Sequence, residues 1–100
     1  MFEDLALVGD EPLLARLDAV LDELVGLDLT ARCGEQVLGL LAGLEARVRR
    51  LAVVDQALVA EADRRGLAAE RGCRSTAALL TGLLRIGPHE AAARVAAAQW

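Results

Sequence analysis

The sequence predicts an all-α fold, a helical hairpin with a long central helix followed by a helix-turn-helix-like pair. Of its 100 residues 55% are hydrophobic but only 2% are aromatic, so Leu, Val and Ala must build the core, as they do between packed helices. Apolar residues recur at three- and four-residue steps, which is the spacing of one helix face. Because 100 residues is close to the minimum for one core, we expect a single helical domain over 1–100. The helices are predicted at about 11–25, 32–65, 75–86 and 88–99.

The first predicted helix starts after Asp10, which suits an N-cap, and has Glu11 and Pro12 in its first turn. Gly26 ends it. Its apolar residues repeat along one face, which we expect to be buried: Leu13, Leu14, Leu17, Val20, Leu21, Leu24 and Val25.

The second helix begins near Ala31 or Cys33 and runs to Arg65, where Gly66 stops it. Its apolar series follows alternating four- and three-residue steps, through Val37, Leu41, Leu44, Val48, Leu51, Leu58 and Ala62. A helix of this length spans about 50 Å, more than a compact chain of this size needs. Either the helix bends or a partner covers its excess apolar face, and we therefore expect a homodimer through it.

Three residues of the second helix depart from its pattern, two glycines of low helix propensity and one aspartate in the apolar series. Gly39 and Gly43 lie four apart, and each costs about 1 kcal/mol relative to Ala, which predicts a tight crossing with the first helix. Asp55 occupies the one polar position of the apolar series. It is either a buried charge that pairs with an Arg and sets register, or a residue at the rim of a neighbouring apolar stripe.

The remaining chain predicts two short helices after a connection at 67–73. Ser75 is the expected cap of the third helix, and Gly87 with Pro88 breaks the chain before the fourth. The apolar face of the third helix is expected to use Ala77, Leu80, Leu83 and Leu84, with Ile86 closing the turn.

Charge is distributed unevenly along the chain. The net charge of −4 argues against generic coating of nucleic acids. Residues 1–45 carry ten acidic residues and two arginines, a net charge of −8, whereas residues 46–100 carry nine arginines and five acidic residues, a net charge of +4. Opposite signs support head-to-tail or antiparallel association, or leave only the second half able to approach phosphate. Helix surfaces that simply differ are the third interpretation.

The last two predicted helices have the outline of a DNA-reading helix-turn-helix. Candidate nucleic-acid contacts are Arg74, Arg85, His89 and Arg94. Base readout, however, rests on Arg94 alone, because alanine and valine fill most of the helix and Glu90 near its start repels phosphate. As a packing hairpin the same segment is ordinary.

The residue inventory argues against catalysis, and we expect no enzyme, no small-molecule substrate and no cofactor. Asn and Lys are absent, Ser75 is the only serine and His89 the only histidine, so no catalytic triad or metal set can be assembled. Cys33 and Cys73 are predicted to be reduced thiols, mostly buried, without a zinc site or disulfide. With an acidic N-terminus and no spanning apolar run, the chain is expected to be soluble and cytoplasmic and to avoid membranes.

A string of motifs in the second half resembles one family. The matching positions are Asp63-Arg64-Arg65-Gly66, Gly72, Arg74, Ser75-Thr76-Ala77, Leu83-Leu84-Arg85-Ile86, Pro88, Glu90-Ala91, Arg94-Val95 and Ala98. They resemble the N-terminal part of the actinobacterial 13E12 repeat family, whose domain of unknown function 222 is usually followed by an HNH endonuclease domain. The resemblance implies association with nucleic-acid-processing proteins. The nuclease domain itself is absent, since an HNH site needs several His and usually an Asn, and this chain has one His and no Asn.

Two classes of function follow from the sequence. The first is a non-enzymatic helical module of this family, acting in self-association or accessory nucleic-acid binding. The alternative is a purely structural homodimerising protein, or a truncated gene product without its own activity.

Overall fold

The computed structural model describes residues 11–99, and within them it contains five α-helices, one 3-10 turn and no strand. The helices are α1 Pro12–Val25, α2 Gly34–Arg64, α3 Leu67–Glu70, α4 Thr76–Leu84 and α5 Pro88–Ala98. The all-α class and the long central helix are therefore confirmed. Contacts divide the chain into two units, Met1–Leu41 and Ala42–Trp100.

In the first unit, α1 begins and ends close to the predicted positions. Glu11 is the N-cap, Pro12 takes the first helical position, and Gly26 is the C-cap. Asp10, the predicted N-cap, lies outside the described residues. The start is favoured because proline fixes a helical φ and lacks only an N–H that has no partner in the first turn.

The burial predicted for α1 is wrong. None of its residues is buried, and its large apolar side chains other than Leu17 are between 41% and 87% exposed. The helix is amphipathic in sequence, yet nothing in the described part of the chain covers its apolar face.

Local capping sets the start of α2. Asp28 caps a 3-10 turn at Leu29–Ala31, with its Oδ1 accepting from the Thr30 N–H at 3.2 Å and from the Thr30 hydroxyl at 2.7 Å. The Cys33 N–H then donates to Gln36 Oε1 at 3.0 Å, the return bond of a capping box. Of the two predicted starts, the helix uses the one at Cys33.

The tight crossing predicted at Gly39 and Gly43 is wrong. Among residues 11–99, a Cβ built on Gly39 would meet no heavy atom within 4 Å, and one on Gly43 would meet only Arg47 Nη1, at 3.4 Å. The Arg47 guanidinium occupies this space because it donates to the Gly43 carbonyl at 3.0 Å.

The second unit has a small core between α2, α4 and α5. Val59, Leu80 and Ala91 are its buried centre, and the partly buried side chains packed around them are Ala77, Ile86, Val95 and Ala98. Leu79, not expected inside, is also buried, whereas Leu83 and Leu84 are 38% and 40% exposed against expectation.

A one-turn helix stands where a plain connection was predicted. Gly66 and Gly72, on either side of α3, have φ values of +66° and +74°, the left-handed region that glycine enters without cost. The Cys73 N–H donates to the Ala68 carbonyl at 2.8 Å and closes the turn.

The pair α4 and α5 forms the predicted helix-turn-helix-like arrangement. Ser75 caps α4 as predicted, with its Oγ accepting from the Ala78 N–H at 3.0 Å. Arg85 ends the helix at φ +57°, the one positive φ of a non-glycine residue within 11–99. Pro88 then takes the first position of α5. No helix within 11–99 is both long enough and apolar enough to cross a membrane.

Candidate association surface on the long helix

One face of α2 in the second unit is apolar and uncovered. Its residues follow alternating four- and three-residue steps, and we call them the stripe: Leu44, Val48, Leu51, Asp55, Leu58 and Ala62. The large apolar members are between 47% and 66% exposed. In the sequence the same spacing continues back to Leu41 and Val37, which are 64% and 37% exposed. The core instead takes Val59, next to the stripe, so the most regular apolar series of the chain is the part left outside.

A cleft lies beside the stripe, between α2 and α5. It encloses about 430 Å³ and is lined by Val48, Leu51, Ala52, Asp55, Gln56, Arg94 and Ala97. From α5 it is lined by Arg94 and by the short side chain of Ala97. Its apolar floor is therefore partly the stripe itself.

One ion pair joins the two sides of the cleft. Arg94 Nη1 lies 3.7 Å from Asp55 Oδ1, and its Nη2 donates to Glu90 Oε1 at 2.7 Å. The side chains of Arg94 and Asp55 are 35% and 42% exposed. Asp55 therefore lies at the rim of the apolar face, as one interpretation held, and pairs with an arginine as the other held, but it is not the buried charge that the latter expected.

The four predicted nucleic-acid contacts have different surroundings. Arg74, Arg85 and His89 are exposed, at the turn before α4, the end of α4 and the first turn of α5. Arg94 is half-buried and contacts Asp55 of α2 as well as Glu90 of its own helix. The residue on which base readout depended is thus engaged within the protein.

A second cluster of ion pairs lies at the C-terminal end of α2. Glu61 accepts from Arg64 Nε at 3.1 Å and from Arg65 Nε at 2.6 Å, and Arg64 Nη2 also contacts its carboxylate. These hydrogen bonds, first from Arg64 and then from Arg65, lower the pKa of Glu61 from 4.5 to about 2. The pair of Glu61 with Arg65 has the four-residue spacing of neighbours on one helix face, as has that of Glu45 with Arg49, at 3.5 Å.

The hydrogen bond between Asp63 and Thr76 was not predicted. The Thr76 hydroxyl donates to Asp63 Oδ1 at 2.6 Å, and Thr76 is 8% exposed. The two residues are 13 positions apart, too far for helical spacing to suggest the contact. Their signal in the sequence was their place in the family motif, which carries no geometry.

Side chains suited to binding a metal ion do not converge in the described part of the chain. Within 11–99 no three His, Cys, Asp or Glu side chains lie close enough to hold a metal ion. Both cysteines are free thiols; Cys33 is exposed, against the expectation of burial, and Cys73 is partly buried.

Comparison with known proteins identifies the second unit. The model of a domain of unknown function, DUF222, matches residues 38–100, a span that contains the stripe, the cleft and helices α3 to α5. Searches of curated proteins and of solved structures gave no match. With more than half of its residues covered by the family model, the chain belongs to the DUF222 family.

Proposed function

We propose that this protein is a non-enzymatic helical module that associates with a second copy of itself through the stripe of α2. The observation that carries the proposal is that a regular apolar series remains 47% to 66% exposed in its large members. A contiguous apolar surface of this kind marks an interaction site more often than a free surface.

The spacing of the stripe points to a helix as its occupant. Alternating four- and three-residue steps keep apolar side chains in register with a second helix, so that each inserts between four residues of the facing helix. The spacing runs from Val37 to Ala62 along one continuous helix, which is long enough for several such layers. A small ligand would not require this repeat.

Charge supports a second copy as the partner. The part of α2 before Ala46 carries Glu35 and Glu45 and no arginine, whereas Arg47, Arg49 and Arg50 follow within the next turns. A surface with separate acidic and basic segments is complementary in charge to a second copy of itself, because the acidic segment of each copy can face the basic segment of the other. The net charges of −8 over residues 1–45 and +4 over residues 46–100 extend the same pattern to the chain.

Light scattering tests this proposal directly. We expect a mass twice the 10.6 kDa of one chain at micromolar concentration. The double variant Leu44→Gln/Leu51→Gln keeps residues of good helix propensity but removes two apolar side chains per copy, which should weaken the dimer at least about 100-fold. Val53→Gln is the matched control, because Val53 is 65% exposed and lies off the stripe.

Two results would contradict the proposal. One is a monomer at all concentrations reached, and the other is equal weakening by the control. Circular dichroism on each variant shows whether the helices are intact.

Accessory nucleic-acid binding is the second candidate function, supported by the exposure of Arg74, Arg85 and His89. The net charge of −4 and the engagement of Arg94 with Asp55 and Glu90 weigh against it. Self-association is therefore the function that the geometry supports best.

A further inference from the structure

We infer that Asp55 makes the two long helices pair antiparallel, with Arg94 of the same chain holding its carboxylate at the edge of the interface. The inference rests on the proposed self-association and adds the orientation of the partner and the residues that select it. Asp55 is the one polar member of the stripe, and Arg94 reaches it from α5 across the cleft.

In a parallel, in-register pair, equivalent positions of the two helices face each other. The carboxylate of Asp55 would then face that of the partner's Asp55 inside an apolar layer. Two like charges brought together and removed from water oppose association strongly.

In an antiparallel pair, a residue of one helix faces a residue from the other half of the repeat. Asp55 then lies opposite an apolar stripe residue of the partner, either Leu44 or Leu51, and the two carboxylates are apart. One polar residue at such a position specifies register at some cost in stability, and the need to keep the two carboxylates apart extends that selection to orientation.

Arg94 lowers the free-energy cost of burying the Asp55 carboxylate in the dimer. When a partner helix covers the stripe, the carboxylate of Asp55 loses water but keeps a cation 3.7 Å away. Arg94 is itself positioned by Glu90, at 2.7 Å on the same helix. The counter-charge comes from the same chain and needs no group of the partner.

Distances between spin labels decide the orientation. Cys33 is exposed and caps the start of α2, so it can be labelled in a Cys73→Ala background. Antiparallel helices that cross between the midpoint of α2 and the midpoint of the stripe place the two Cys33 labels about 45 to 60 Å apart along the axis. A parallel pair brings them to within about 25 Å, the width of two helices with their labels.

A label at Val53→Cys, with both native cysteines replaced by Ala, serves as the control. It lies near the middle of the stripe but off it, so it gives a short distance in either orientation and shows that the dimer is present. A long Cys33 distance with a short Val53 distance supports the inference. Two short distances overturn it while leaving the proposed function intact, and a monomeric mass without dipolar coupling overturns both.

Substitution of the ion pair tests the role of the two residues. Asp55→Leu should add a short component to the Cys33 distances, whereas Gln56→Leu, in the same cleft but off the stripe, should not. Arg94→Gln should raise the dimer dissociation constant about tenfold, and this effect should vanish in the Asp55→Leu background. An equal effect of Arg94→Gln in both backgrounds would show a purely structural role and overturn the assignment of Arg94.

Discussion

Asp63 and Thr76 join the end of α2 to the start of α4 through a hydrogen bond of 2.6 Å. Thr76 is buried while Asp63 is exposed, so the hydroxyl depends on this acceptor and the carboxylate also retains water. A bond between two elements that are not adjacent in the chain fixes their relative position, whereas a bond within one helix does not.

Replacing the Thr76 hydroxyl by a methyl group should measure this bond. We expect Thr76→Val to lower the free energy of unfolding by about 1 kcal/mol. The control is Thr81→Val, because the Thr81 hydroxyl donates to the Ala77 carbonyl of its own helix at 3.0 Å. Its loss should cost less than about 0.5 kcal/mol. Urea unfolding followed by circular dichroism compares the two, and equal losses would show that the bond to Asp63 adds nothing specific.

The carboxyl group of Glu61 should report its two arginine partners in a pH titration. Its pKa of about 2 lies below its usual 4.5 because Arg64 and Arg65 bond the charged form. Since the folded-state pKa is the lower one, the stabilisation is present above pH 4.5 and is lost as the pH falls towards 2. Carbon-detected NMR of the Glu61 carboxyl should give the low value, which Arg64→Gln should raise. A midpoint near 4.5 in the unmodified protein would contradict the bonded geometry.

Residue contacts of short range were predictable from the sequence. The cap at Ser75 was predicted from its residue type and is confirmed. The pairs Glu45 with Arg49 and Glu61 with Arg65 follow from the four-residue spacing of one helix face. Contacts between elements, such as Arg94 with Asp55, depend on how α5 packs on α2, which spacing along one chain does not determine.

The two glycines of α2 do not serve the close helix packing that the sequence suggested. The pair Gly39 and Gly43 indicated close contact with another helix, but no other helix approaches Gly39, and Gly43 meets only the side chain of Arg47. Helix propensity at these positions is therefore lost without a packing gain in the single chain.

Filling Gly39 should stabilise the helix. We expect Gly39→Ala to raise the free energy of unfolding by about 0.5 to 1 kcal/mol, because no neighbour opposes the added methyl group. Gly66→Ala should do the reverse, since its φ of +66° strains any residue with a Cβ. Chemical unfolding at one fixed protein concentration measures both. Destabilisation by Gly39→Ala would reveal a partner seated against that face.

Element boundaries were largely predictable, with one exception. The start of α2 at Cys33, its stop before Gly66 and the break at Gly87 and Pro88 carry recognisable capping residues. The four-residue helix α3 lies between two glycines and is too short to show a period. A segment of that length forms because of its neighbours, and its own pattern gives no signal.

At the scale of the molecule, the net charge limits binding to nucleic acids. We expect no stable complex with duplex DNA at physiological ionic strength, given the net charge of −4. Any retardation in a gel at low salt should depend on Arg74 and Arg85 and should be unaffected by Arg94→Gln, whose guanidinium is engaged. Tight binding that Arg94→Gln abolishes would favour base readout by α5 and contradict this expectation.

The division between core and surface was the least predictable feature. Periodicity correctly placed an apolar face on α2, but the residue that enters the core is Val59, one step away from the best repeat. The sequence pattern shows which residues form an apolar face, whereas the packing of α4 and α5 decides which of them are buried.

Within residues 11–99 the buried core contains no side chain larger than leucine, and its most buried residue is Ala91. So small a buried apolar surface stabilises a fold only weakly. Under the proposed pairing, each newly made chain would therefore gain much of its thermal stability by binding a second chain. Expression level would then govern survival in the cell: scarce copies would be open to proteases, and abundant copies would protect one another.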